Sequence, residues 1–232
     1  MRKLAILVAS LALVSATAVD AAGPVDGEIG AIYWNSEFDS SGVAALSSDS
    51  GSPGFRGQLW LFNKYGVKAG MYRADLDDFT AVETSDYTSV DLMWRPFSPT
   101  QNNYIAVGLG WQEMDLSTIG LQGDTSGIRI NVDGRVGFGK ILFAYGEASY
   151  LPALGDATAT TPALGRFESM TGYEYELGVS VKTFPFMQFR AGYRMQSVDF
   201  DQTGLDPLLG FGTSMKGSAE SSGILAGLTF NF

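Results

Sequence analysis

The 232-residue sequence predicts an all-β protein: a closed antiparallel transmembrane β-barrel of about ten strands, with eight or twelve as alternatives. Three observations lead there. Apolar and polar residues alternate with period two in segment after segment. The connections between those segments alternate short and long. Beyond the N-terminal region no run of ~18 consecutive apolar residues exists, so a chain that enters a membrane must do so as a closed barrel.

The N-terminus reads as an address label. Met1-Arg2-Lys3 is a positive region, Leu4 to Val14 is apolar apart from Ser10, and Ala16-Thr17-Ala18 and Val19-Asp20-Ala21 both fit a signal-peptidase site. Residues 1–21 are expected to be a secretory signal peptide, with cleavage after Ala21 or, alternatively, Ala18, leaving 22–232 as the barrel. An uncleaved anchor is the other reading, but the apolar run is short for a bilayer span.

The clearest strand is Ile128-Arg129-Ile130-Asn131-Val132-Asp133-Gly134-Arg135-Val136. Ile128, Ile130, Val132 and Val136 share one face; Arg129, Asn131, Asp133 and Arg135 share the other. A helix would scatter these residues, whereas a strand separates them. Thr88, Val90, Leu92 and Trp94 likewise oppose Ser89, Asp91 and Arg95. Tyr173, Tyr175, Leu177, Val179 and Val181 oppose Glu174, Glu176, Ser180 and Lys182. Phe189, Ala191, Tyr193 and Met195 oppose Gln188, Arg190, Arg194 and Gln196. The last row is Ile224, Ala226, Leu228, Phe230 and Phe232. The predicted strands are 27–36, 54–63, 65–74, 86–96, 103–113, 127–138, 140–150, 170–183, 186–200 and 219–232; glycines blur the first three.

Short connections fall at 63–66, 96–102, 137–139 and 184–186. Long ones fall at 37–53, 75–85, 114–126, 151–169 and 201–218, rich in Gly, Ser, Thr, Asp and Pro. Short turns at one end and long loops at the other is the layout of a membrane barrel. Period-two rows also suit a soluble β-sandwich, so the choice rests on other features. The strands, at about 10–14 residues, suit a tilted crossing better than the globular norm of about 5–6. Trp94, Phe184, Phe186, Phe230 and Phe232 lie near the short turns, and Trp111, Tyr150, Tyr173, Tyr175 and Tyr193 toward the loops. Two such girdles are where aromatic rings gain most at a bilayer surface.

Composition removes several functions. The chain has no cysteine, hence no disulfide or thiolate chemistry, and no histidine, the commonest general base and metal ligand. Its formal net charge of −10 argues against nucleic acid. Gly108-Leu109-Gly110 and Gly137-Phe138-Gly139 precede no helix, so they are strand and turn glycines rather than phosphate loops. No cofactor is expected.

The C-terminal Gly227-Leu228-Thr229-Phe230-Asn231-Phe232 has the glycine-x-x-apolar-x-aromatic form of the C-terminal β-signal. With it, the mature chain resembles the small outer-membrane β-barrel proteins, including the opacity-type surface antigens and OmpA-like barrel domains. That resemblance implies a bacterial outer-membrane location and assembly by the barrel-assembly machinery, which would read Gly227, Phe230 and Phe232. It also implies a setting of outer-membrane lipid and lipopolysaccharide. The barrel enzymes of this kind, such as omptin proteases, lipid A deacylases and outer-membrane phospholipase, rely on a catalytic histidine. The resemblance therefore implies no enzyme here, and no serine–lysine or carboxylate spacing points to one.

The inward charges are the main candidate site. Lys68, Arg95, Arg129, Arg135, Lys182, Arg190 and Arg194 face Glu28, Asp91, Asp133, Glu147, Glu174 and Glu176. Near-balance is expected of salt-bridged ladders filling the lumen, since buried charge must be paired; the alternative is a charge-lined selective channel. The loops are acidic at Asp75, Asp77, Asp78, Glu83, Asp115, Asp124, Asp199, Asp201 and Asp206, against Arg166 and Lys216. Carboxylates there could bridge to lipopolysaccharide through divalent cations, or simply form a solvated surface. Two functions remain open at this point: a non-enzymatic surface protein of unspecified ligand, and a narrow diffusion channel.

Overall fold

The computed structural model describes residues 25–41, 46–76, 83–100, 102–115, 121–122, 124–159, 165–204 and 214–232. The signal-peptide segment and Asp77, Asp78 and Asp206 lie outside them. The strands are β1 Val25–Ser41, β2 Leu46–Leu61, β3 Tyr65–Leu76, β4 Glu83–Thr100, β5 Asn103–Asp115, β6 Leu121–Gln122, β7 Asp124–Phe138, β8 Leu142–Leu154, β9 Ala157–Ala159, β10 Arg166–Phe184, β11 Met187–Thr203 and β12 Ser214–Asn231. The ten long strands pair antiparallel with their neighbours, and β12 pairs with both β11 and β1, which closes the barrel. The short β6 and β9 pair with each other and β9 with the start of β10, extending the ladder at the loop end.

The wall is polar inside and apolar outside. Along β7, Arg129, Asn131, Asp133 and Arg135 are buried, while Ile128, Ile130, Val132 and Val136 are exposed. A soluble sandwich demands the reverse, and that alternative is overturned. The outward row Tyr173 to Val181 on β10 covers nine residues, about 30 Å of strand and about 23 Å of height at a tilt of ~40°. That height matches the ~25 Å apolar band of a membrane barrel.

The strands run well past this band at the loop end. β10 has 19 residues and β12 has 18, so parts of the segments expected to be loops, such as 46–53 and 166–169, are strand. The reason is physical. Backbone pairing continues wherever two strands stay in register, and a ladder with water on its outer face needs no apolar row. Hydropathy alternation therefore fades before the hydrogen bonding does. At the other end, pairing persists with irregular register through the expected 96–102 turn to Thr100 opposite Asn103. The β2–β3 turn places Phe62 and Asn63 at positive φ (53° and 54°), and Gly139 occupies φ 80° in the β7–β8 turn.

Candidate functional site

The lumen is filled in layers. Near the short turns, Trp60, Met93, Tyr104 and Ala106 form a buried apolar cluster. The Arg95 guanidinium lies between two of its rings, 3.6 Å from the Trp60 ring centroid and 3.8 Å from that of Tyr104. It also donates to Asn63 Oδ1 in the β2–β3 turn. Aromatic faces thus stabilise this cation, which has no ion-pair partner among the described residues. Close by, Arg135 Nη2 donates to Glu28 Oε2 at 2.8 Å, and Gln58 Nε2 donates to the same oxygen at 2.7 Å.

The middle layer is a continuous ion-pair network. Lys68 Nζ lies 2.8 Å from Asp133 Oδ2 and 2.6 Å from Glu147 Oε2. Arg129 bridges Asp91 and Glu174 and reaches Glu147 Oε1 at 3.2 Å. Arg56 spans Glu147 at 3.3 Å and Glu176 at 3.6 Å. Arg190 Nε donates to Glu176 Oε1 at 2.9 Å, and Arg194 Nη2 lies 2.9 Å from Glu174 Oε2. Five cations (Arg56, Lys68, Arg129, Arg190, Arg194) thus meet five carboxylates (Asp91, Asp133, Glu147, Glu174, Glu176), and the layer is formally neutral. Rings brace it: Arg190 stacks 3.6 Å over Tyr145, and Arg194 stacks 3.9 Å over Tyr72.

Small residues make room for this packing. Gly178 and Gly192 are cross-strand partners beneath the Tyr145 phenol. A Cβ on Gly192 would stand 2.6 Å from both Tyr145 Oη and the Leu177 carbonyl, so glycine is required by close approach. Toward the loop end, Met114, Leu151, Leu154, Ala157, Met170 and Val198 close the interior as an apolar cluster, with Phe167 and Phe200, edge-on to each other, packed against it. Between this roof and the ion pairs lies a cavity of about 10 Å³ lined by Tyr72, Tyr87, Ser89, Gln112, Glu174 and Arg194 among others. That is room for about one water molecule and far below the ~300–1,000 Å³ usual for small-molecule sites.

Of the sequence-predicted lumen residues, Lys68, Asp91, Arg129, Asp133, Glu147, Glu174, Glu176, Arg190 and Arg194 come together in the network, and Arg135 pairs with Glu28 apart from it. Arg95 is buried but ring-held, and Lys182 is half-buried at the short-turn mouth, outside the network. Arg56 was not foreseen, although it alternates with Gln58 against Phe55 and Leu59 in the way lumen residues do. The bracing rings of Trp60, Tyr72, Tyr104 and Tyr145 were also not foreseen. At the C-terminus, Phe230 is exposed on the outer face and Gly227 packs under Ile32. Gly27 and Phe232 exchange backbone hydrogen bonds at 3.0 Å each way.

A closed ten-stranded wall with an apolar exterior and a charged interior defines a small membrane β-barrel. No family model and no curated protein matches the chain. Among solved structures it is similar to the outer membrane protease OmpT from Escherichia coli, with TM-score 0.55 and 9% identity over 90% of this chain and 96% of that one. It also aligns with Neisserial surface protein A (TM-score 0.37, 14% identity, 92% and 100% covered). A third alignment is with Ail, the attachment invasion locus protein of Yersinia pestis (TM-score 0.32, 12% identity, 90% and 100% covered). The fold is that of the small outer-membrane β-barrels.

Proposed function

We propose that the chain is a non-enzymatic, non-conducting protein of the bacterial outer membrane that presents its extended loop end as an interaction surface. The observation that carries this reading is the neutral ion-pair layer, held between the Trp60–Arg95–Tyr104 cluster and the Met114–Leu151–Met170 roof. A conducting lumen needs fixed charge facing water, and ions pass only where binding is weak enough to release them. Here each cation of the layer is committed to carboxylates, and a ten-stranded barrel is only slightly wider than the eight-stranded ones that side chains fill. The absence of histidine supports the non-enzymatic reading, even though one structural neighbour is a protease. Beyond the apolar band, outward Glu37, Asp39, Glu113 and Asp199 stand on exposed or half-exposed strand ends. Lipopolysaccharide bridged by divalent cations is the surface partner this acidity fits, and the Gly227–Phe232 strand is the segment for the assembly machinery to read. The test is single-channel recording from the refolded protein in planar bilayers. Silence with intact heat-modifiable gel migration is expected. Discrete, reproducible conductance steps would instead make it a channel.

A further inference from the structure

Two short turns joining different strand pairs repeat one pattern. Phe62-Asn63-Lys64-Tyr65 links β2 to β3, and Phe138-Gly139-Lys140-Ile141 links β7 to β8. In both, the phenylalanine is strongly exposed, 74% at Phe62 and 61% at Phe138, and so are the lysine and the apolar residue after it. A third turn adds the stacked Phe184–Phe186 pair, with ring centroids 5.9 Å apart. The four short connections, 61–66, 96–102, 137–142 and 182–187, contain no acidic residue. Asp26, at the same end, lies on the lumen-facing row of β1 with Glu28. The opposite end is rich in carboxylates. Lysine therefore stands between apolar anchors at one membrane edge, and no acidic side chain within these turns neutralises it.

We infer that this short-turn rim is a docking face for anionic phospholipid headgroups of phosphatidylglycerol type, with Lys64 and Lys140 each reaching one phosphate. The inference rests on the membrane reading above. The rings and Ile141 seat in the interfacial layer and fix the depth of the turn. The lysine stem lies along the acyl boundary while its ammonium extends to the phosphate plane. Charge complementarity selects the occupant, because a zwitterionic headgroup offers the ammonium no net attraction.

The test uses the full chain refolded into phosphatidylcholine vesicles doped with spin-labelled phosphatidylglycerol or spin-labelled phosphatidylcholine. The unaltered protein is expected to prefer the anionic label, and the preference is expected to fall with added salt. Lys64→Gln and Lys140→Gln should each weaken binding at their own turn about fivefold, the change that ~1 kcal/mol per lysine corresponds to. The Lys64→Arg/Lys140→Arg protein should retain the preference. No preference in the unaltered protein, or a preference that survives the double glutamine substitution, overturns the inference while leaving the membrane barrel standing. Failure to enter any vesicle overturns both.

Discussion

Arg129→Met is the substitution that probes the lumen most directly. Arg129 bridges Asp91 and Glu174 and reaches Glu147. After its removal, Glu174 keeps Arg194 at 2.9 Å and Glu147 keeps Lys68 at 2.6 Å. Asp91, only 1% exposed, keeps a neutral hydrogen bond from Asn131 Nδ2 at 2.9 Å and loses its ion-pair partner. One buried carboxylate becomes uncompensated and the layer acquires a charge of about −1. Breaking a buried pair in this way costs ~3–5 kcal/mol. The assay is urea unfolding in phosphatidylcholine vesicles, followed by tryptophan fluorescence. Adding Asp91→Asn to Arg129→Met restores neutrality and should recover more than half of the loss, a non-additivity that a double-mutant cycle resolves. Strictly additive losses, or an Arg129→Met cost below ~1 kcal/mol, would show that the layer is hydrated and loosely paired, and would refute the closed lumen.

Other outcomes follow from the same structure. Gly192→Ala should destabilise by ~1–3 kcal/mol through overpacking, and less in a Tyr145→Phe background, where the crowding hydroxyl is gone but the Leu177 carbonyl remains; urea midpoints in vesicles report both. Arg95→Met should cost ~1–2 kcal/mol by removing a cation held between two rings, and should shift the emission of Trp60. Leu92, 69% exposed in the middle of the outward row of β4, should tolerate arginine badly in lipid. A cost of ~2–4 kcal/mol is expected near the bilayer midplane, and no cost in vesicles would contradict the assignment of the outer face to lipid.

What could be read ahead of the structure follows from how each strand carries its own information. Arg129, Asn131, Asp133 and Arg135 alternate with β-branched residues, interrupted only at Gly134, so their face was legible from one strand alone. Arg56 was not, because Pro53 and Gly57 interrupt the outward apolar row on either side of Phe55. The role of Arg95 was also hidden. Its own strand assigns it to the lumen, but its partners Trp60 and Tyr104 come from β2 and β5, and no local pattern encodes that meeting. Strand length was underestimated for a related reason. The Ser- and Gly-rich ends of β2 and β12 continue the ladder through backbone pairing, and backbone groups leave no trace in hydropathy.

The neutrality of the central layer also decides where the protein's charge acts. With its carboxylates matched one to one by cations, the layer contributes little to the external field, and the sequence's net charge of −10 lies outside it. The loop end carries the acid and the short turns carry Lys64 and Lys140. Charges separated by the apolar band, about 25 Å tall, lie several Debye lengths apart at physiological salt, so each rim meets its own surroundings independently. A lumen substitution such as Arg129→Met should therefore alter stability without altering lipid preference, and Lys64→Gln should do the opposite. If lipid preference followed the lumen substitution, the two regions would share one electrostatic system, and the division of the barrel into a neutral filled interior and two separately charged rims would be wrong.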